Sequence, residues 1–190
     1  QCTEPHQTSD SGATWQVKRT WLEDYASCAA LDANPAGRAV LFATPYAFGG
    51  ARHLELRDGS GVWTQQPAND LVTNSGGGAS TSDVPMVGDV AWVRAQKFSG
   101  YEVLDHALFR SDDAGQTWTR IDAGLPKGHP LDYTLSIAEN PHRRGMVFAG
   151  TGHGFFYSRD DGRTWTQFKD KLPAAPVNWI EVPKNAPEVA

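Results

Sequence analysis

Short stretches in which apolar and polar residues alternate recur along this chain, bounded by Gly, Pro, Asn, Asp or Ser. That is the pattern of half-buried strands closed by turns. The clearest series predicts strands at 133–138, 146–150, 155–158 and 165–168, with the turn Asn140-Pro141-His142-Arg143-Arg144-Gly145 between the first two. An earlier series predicts strands at 25–31, 39–44, 52–56 and 62–65, with a turn at Asn34-Pro35-Ala36-Gly37. Between them, strands are expected at 71–74, 89–95 and 106–110, with the glycine-rich run 75–82 as an insertion, and a further first strand near 179–182. Helical periodicity is absent, so the fold class is all-β.

The series share a repeat. Ser111-Asp112-Asp113-Ala114-Gly115-Gln116-Thr117-Trp118 and Ser158-Arg159-Asp160-Asp161-Gly162-Arg163-Thr164-Trp165 both read S-x-D-x-G-x-T-W. Thr8-Ser9-Asp10-Ser11-Gly12-Ala13-Thr14-Trp15 is a third copy with Thr for Ser. Leu56-Arg57-Asp58-Gly59-Ser60-Gly61-Val62-Trp63 is a worn fourth that keeps Asp58 and Trp63. The spacing has a physical reading as a tight hairpin. The Asp carboxylate accepts hydrogen bonds from backbone N–H groups ahead of it, and Gly supplies a positive φ. The Trp opens the return strand with a large packing surface. The tryptophans at 15, 63, 118 and 165 are 48, 55 and 47 residues apart, the length of a four-stranded propeller blade.

This repeat resembles the Asp-box, or BNR, repeat of sialidases, xyloglucanase-type glycoside hydrolases, sortilin-type receptors and photosystem assembly factors. The resemblance implies a β-propeller of four-stranded antiparallel blades with Asp-box hairpins. The layout is a half blade at 1–20, blades at 21–66, 67–121 and 129–168, and the first strand of another at 177–183. Three assemblies remain open: part of a larger ring, two copies or a further chain pooling their blades, or a small closed ring. In that family the box lies away from the ligand face. The resemblance therefore makes Asp10, Gly12, Trp15, Asp58, Trp63, Asp113, Gly115, Trp118, Asp160, Gly162 and Trp165 structural.

It also implies that the ligand face lies where each innermost strand begins. Aligned on that strand, Asp24-Tyr25, Asp70-Leu71, Asp132-Tyr133 and Asn178-Trp179 fall at equivalent positions. Three carboxylates and an amide facing one axis would favour a bound cation, a raised pKa or a polyhydroxylated ligand. The alternative is that they cap backbone N–H groups at strand entry. The loops 45–51, 96–105 and 151–154 would open on the same face, bringing Tyr46, Lys97, Tyr101 and His153, with Arg52 beside them. Aromatic rings interleaved with charged groups suit a sugar or a peptide.

Composition narrows the chemistry. The net charge is -5 and no Lys/Arg block occurs, which argues against nucleic acid. No stretch approaches the roughly 18 apolar residues of a membrane span. No G-x-S-x-G, H-E-x-x-H or C-x-x-C pattern is present, and the six histidines lack metal-ligand spacing, so neither a metal nor a cofactor is expected. Cys2 and Cys28 form one disulfide if the compartment is oxidising, or stand as two separate thiols. With the family resemblance, the pair points to a secreted or periplasmic protein. The arginines Arg52, Arg94, Arg143 and Arg144 do not occupy equivalent blade positions and no Arg-Ile-Pro segment occurs, against a sialidase. Two functions are carried forward. One is a binding or scaffold module for carbohydrate or protein. The other is a glycoside hydrolase using a carboxylate pair drawn from Asp24, Asp70, Asp105 and Asp132.

Overall fold

The computed structural model describes residues 6–7, 12–17, 26–45, 53–66, 85–99, 102–127, 132–170, 172–183 and 185. Among them every regular element is a β-strand. A two-stranded ribbon pairs β1 (His6–Gln7) with β2 (Gln16–Val17). Three four-stranded sheets follow. The first holds β3 (Ala26–Ala33), β4 (Ala39–Pro45), β5 (His53–Arg57) and β6 (Trp63–Gln65). The second holds β7 (Met86–Val87), β8 (Val90–Ser99), β9 (Glu102–Ser111) and β10 (Thr119–Arg120). The third holds β11 (Thr134–Glu139), β12 (Val147–Thr151), β13 (Gly154–Ser158) and β14 (Thr166–Gln167). In each sheet every strand pairs antiparallel with the next in sequence, so all connections are local hairpins.

The second sheet departs from the pattern-based expectation in two places. Its first described strand is β7, folded onto β8 through the tight turn Val87-Gly88-Asp89-Val90. The expected strand at 71–74 and the glycine run lie outside the described residues. Residues 96–99 and 102–105, expected within a loop, instead lengthen β8 and β9. Lys97 stands opposite Asp105 and Phe98 opposite Val103, with a register shift between Lys97 and Phe98. The backbone of this stretch pairs rather than opens.

The period-2 alternation builds the core. On the second sheet Ala91, Val93, Ala107 and Phe109 face the first sheet's Val40, Leu54 and Leu56. Trp92 and Leu108, one residue out of phase, face Ile137, Val147, Ala149 and Phe156 of the third. Sheets thus stack face to face, and the middle one is buried on both sides. A tie across the second interface comes from buried Arg94, whose Nη1 donates to the Thr134 carbonyl at 2.7 Å.

The recurring turns are built as their residues dictate. Asp113 accepts the Thr117 amide at 2.8 Å, the Thr117 hydroxyl at 2.6 Å and the Ser111 hydroxyl at 2.8 Å. Asp160 repeats this with Thr164 and Ser158 at 2.8, 2.6 and 2.7 Å. The serines also accept the amides of Gly115 and Gly162. Worn Asp58 keeps the scheme in reduced form, accepting from Ser60 and the Val62 amide. Asp10 lies outside the described residues, but its turn keeps Gly12 at φ 93°. These bonds favour the charged form. The Thr164 hydroxyl and amide, then the Ser158 hydroxyl, pull Asp160 down to about 2. At Asp113 burial opposes the shift, and the Thr117 and Ser111 bonds outweigh it. Asp58 is lowered first by the Ser60 hydroxyl.

Each full turn also presses on the sheet before it. A Cβ at Gly115 would lie 2.6 Å from Leu56 and 2.9 Å from Val40, and one at Gly162 would lie 2.5 Å from Ile121. The Trp165 indole donates to the Ile121 carbonyl at 2.8 Å, whereas Trp118 Nε1 is buried without a hydrogen-bond partner.

Candidate functional site

At the start of β11 the chain places Asp132 and Tyr133, and the two-residue turn from β12 to β13 places His153 beside them. Thr151 shapes that turn by donating to the Gly154 carbonyl and accepting the His153 amide. Asp132 Oδ1 lies 2.7 Å from His153 Nδ1, with side-chain exposures of 9% and 36%. As the carboxylate only accepts when ionised, the ring donates from Nδ1. Asp132 and His153, read separately from a strand start and a loop, thus meet at one end of the third sheet. The carboxylate there orients a histidine.

Asn178 is exposed and Trp179 lines a separate groove. The segment before them crosses the open face of the third sheet. The Val177 amide donates to the Thr151 carbonyl at 3.0 Å, and the Val177 carbonyl accepts from Ser136 Oγ at 2.9 Å. Gly150 permits the crossing, since a Cβ there would stand 2.2 Å from the Val177 oxygen. The segment then runs to the turn between β11 and β12, where His142 Nε2 meets the Pro183 carbonyl at 2.8 Å.

Between this segment and the sheet lies an apolar groove of about 570 Å³ lined by Phe148, Phe155, Tyr157, Phe168 and Trp179 among others. Phe148 and Phe155 stack at 5.5 Å, Phe168 meets Phe155 edge-on at 6.2 Å, and Arg159 lies over Tyr157 at 5.3 Å. Trp179 is 73% exposed and Phe168 42%. The alternation that sends Ala149 and Phe156 into the core sends Phe148, Phe155 and Tyr157 to this face. The strand pattern carries that signal, whereas loops and strand starts point to only one residue of the groove, Trp179.

The other candidates are less complete. Asp24, Tyr25, Tyr46, Arg52, Asp70, Tyr101 and Cys2 lie outside the described residues. Asp105, Lys97 and Cys28 are placed only as strand positions, in β9, β8 and β3. Among the described residues no group of His, Cys, Asp and Glu is arranged to hold a metal. No described helix is long and apolar enough to cross a membrane.

Comparison with known proteins identifies the architecture. No family model matches the chain, and no curated protein does. Among solved structures it is similar to a protein of unknown function from Dyadobacter fermentans DSM 18053, with TM-score 0.58 and 15% identity, over 88% of this chain and 58% of that one. It is also similar to the structure of YCF48 bound to D1 peptide, with TM-score 0.50 and 17% identity, over 90% of this chain and 49% of that one. The chain spans less than two thirds of the length of either. At these identities the likeness shows the fold, a β-propeller of antiparallel blades.

Proposed function

We propose that this chain is a protein-binding scaffold of the propeller type, and that its aromatic groove receives an extended segment of a partner protein. The observation that carries this reading is the open face of the third sheet, where Phe148, Phe155, Tyr157 and Phe168 remain accessible beside a largely exposed Trp179. An extended segment can pack on such a face by turning every second side chain onto the rings and the alternate ones outward. The structure of YCF48 with a bound peptide supports a peptide as ligand for this fold. We further infer that the S-x-D-x-G-x-T-W turns are Asp-boxes, which scaffold the blades. The Cys2 and Cys28 pair supports a location outside the cytoplasm. Carbohydrate is the other ligand class that exposed rings suit.

Calorimetric titration with a capped peptide of alternating Val and Thr, and separately with xyloglucan oligosaccharide, tests this. Peptide binding that weakens about tenfold or more in Trp179→Ala is the expected result, since one large ring contact contributes roughly 1.4 kcal/mol or more. Oligosaccharide binding without peptide binding would overturn it in favour of a lectin-like role. A groove already filled by a second copy would show as a doubled solution mass, and would equally overturn it.

A further inference from the structure

A second cavity, of about 730 Å³, lies at the other end of the sheets from Asp132, between the second and third. The turn Val87-Gly88-Asp89-Val90 and Arg110 and Asp112 form one wall. Glu139, Asn140, Arg144, Asp161 and Arg163 form the other. Its origin is visible one interface earlier. There the longer turn at 34–38 of the first sheet reaches across to the second. Asn34 Nδ2 donates to the Gly88 carbonyl and to Asp89 Oδ1, both at 2.9 Å, and Arg38 donates to Asp89 Oδ2 at 2.8 Å. The corresponding turn of the second sheet is too short to repeat this, and Asp89 is already bonded back to Arg38. The bridge that Asn34 and Arg38 make from this turn at the first interface therefore has no counterpart from the same turn at the second.

The charges in the cleft are unevenly satisfied. Arg110 bonds both Asp112 and Asp161 through its terminal nitrogens, while its Nε is buried with no hydrogen-bond partner. Arg144 and Arg163 are exposed, where water solvates them. Glu139 is half-buried and its Oε2 is out of solvent with no hydrogen-bond partner. The cleft is thus an unfilled gap between two sheets with an unpartnered carboxylate oxygen on its wall. We propose that it binds the cationic side chain, arginine or lysine, of a partner segment, with Glu139 as the anchoring carboxylate. This site is separate from the aromatic groove and does not depend on it.

The proton chemistry supplies a signature. Burial first, and then the Asp161 charge, push Glu139 up to about 7, against the opposing pull of Arg110 and Arg144. Asp112, Asp89 and Arg163 are the other charged groups lining the cleft. A bound cation favours the ionised form, so binding releases a proton below neutrality and affinity falls as the pH drops.

The test is an NMR titration of the whole chain with the capped tripeptide Gly-Arg-Gly, alongside Gly-Gln-Gly and Gly-Glu-Gly. The expected result is saturable shifts of residues 87–90, 110–112, 139–144 and 161–163 with the arginine peptide alone. Affinity should be about tenfold weaker near pH 6 than near pH 8, as single-site titration requires. It should fall about tenfold or more at pH 8 in Glu139→Gln, which keeps the side-chain shape. Absence of shifts, meaning a cleft that holds only water, would overturn the proposal. So would preference for the glutamate peptide, or binding by the wild type that does not change with pH.

Discussion

Replacing Gly115 with alanine tests whether the recurring turn serves the hairpin alone or the contact between sheets. Gly115 has φ 90°, so any L residue there is strained by about 1–2 kcal/mol. The new methyl would also stand 2.6 Å from Leu56 Cδ2 and 2.9 Å from Val40 Cγ2, both on buried side chains of the neighbouring sheet. Overpacking of that kind costs about 1–3 kcal/mol more, because Val40 is stiff at its branched carbon. The total expected for Gly115→Ala is about 2–5 kcal/mol. Gly61 is the internal control. Its φ is 95°, but a Cβ there meets only the Arg57 guanidinium, with Nη2 at 3.1 Å, the far end of a long side chain whose Nη1 bonds the Gly37 carbonyl. Gly61→Ala should therefore show the backbone cost alone, about 1–2 kcal/mol. Urea unfolding of both variants, read as midpoint and slope, makes the comparison. Equal losses would refute the reasoning, since they would mean that the turn touches nothing that matters beyond its own hairpin.

Two further outcomes follow from the same turns. Because Asp160 is held at about 2, below its ordinary value, its stabilising effect is fully present above about pH 4 and is lost as the pH falls toward 2. Asp160→Ala should therefore lower stability at neutral pH and flatten the acid limb, as read by thermal melts over that range. Trp165→Phe gives up the 2.8 Å bond to the Ile121 carbonyl, whereas Trp118→Phe removes a buried N–H that bonds nothing. Trp165→Phe should cost about 1–2 kcal/mol more than Trp118→Phe in urea unfolding.

What could be read in advance was what repeats locally. The S-x-D-x-G-x-T-W signature is a closed hydrogen-bonding unit within eight residues, so Asp113 and Asp160 could be assigned from spacing alone. The strands of the third sheet were legible because Ile137, Val147, Ala149 and Phe156 alternate cleanly with residues of the other face. The second sheet was harder. Met86-Val87 is too short to show a period, and the stretch around Lys97 to Asp105 mixes charged and apolar residues as loops also do. Aligning strand starts and turns put Asp132 and His153 toward the same face, but their hydrogen bond was not legible, because it depends on the side-chain geometry of a two-residue turn. The cleft around Glu139 was not legible either, because it exists only through the difference in length between two turns in neighbouring sheets. No residue within it announces that difference.

The open face of the third sheet and the buried faces of the second obey one rule. Trp92 and Leu108 on one side of the second sheet, and Val93 and Phe109 on the other, are covered because another sheet stands opposite. Phe148, Phe155 and Tyr157 follow the same alternation, with side chains as large, but opposite them, among the described residues, runs only the segment 177–183. That segment already behaves as the beginning of a next layer. It bonds at Thr151 and Ser136, lies flat across Gly150, and reaches His142. It covers one side of the rings and leaves the other exposed, so apolar area there is still available to be removed from water. The surface that would extend the stack is thus the same surface that would hold a partner. A segment that binds there gains stability by the physics that holds the second sheet to the third: apolar residues at every second position, meeting a face built at the same period.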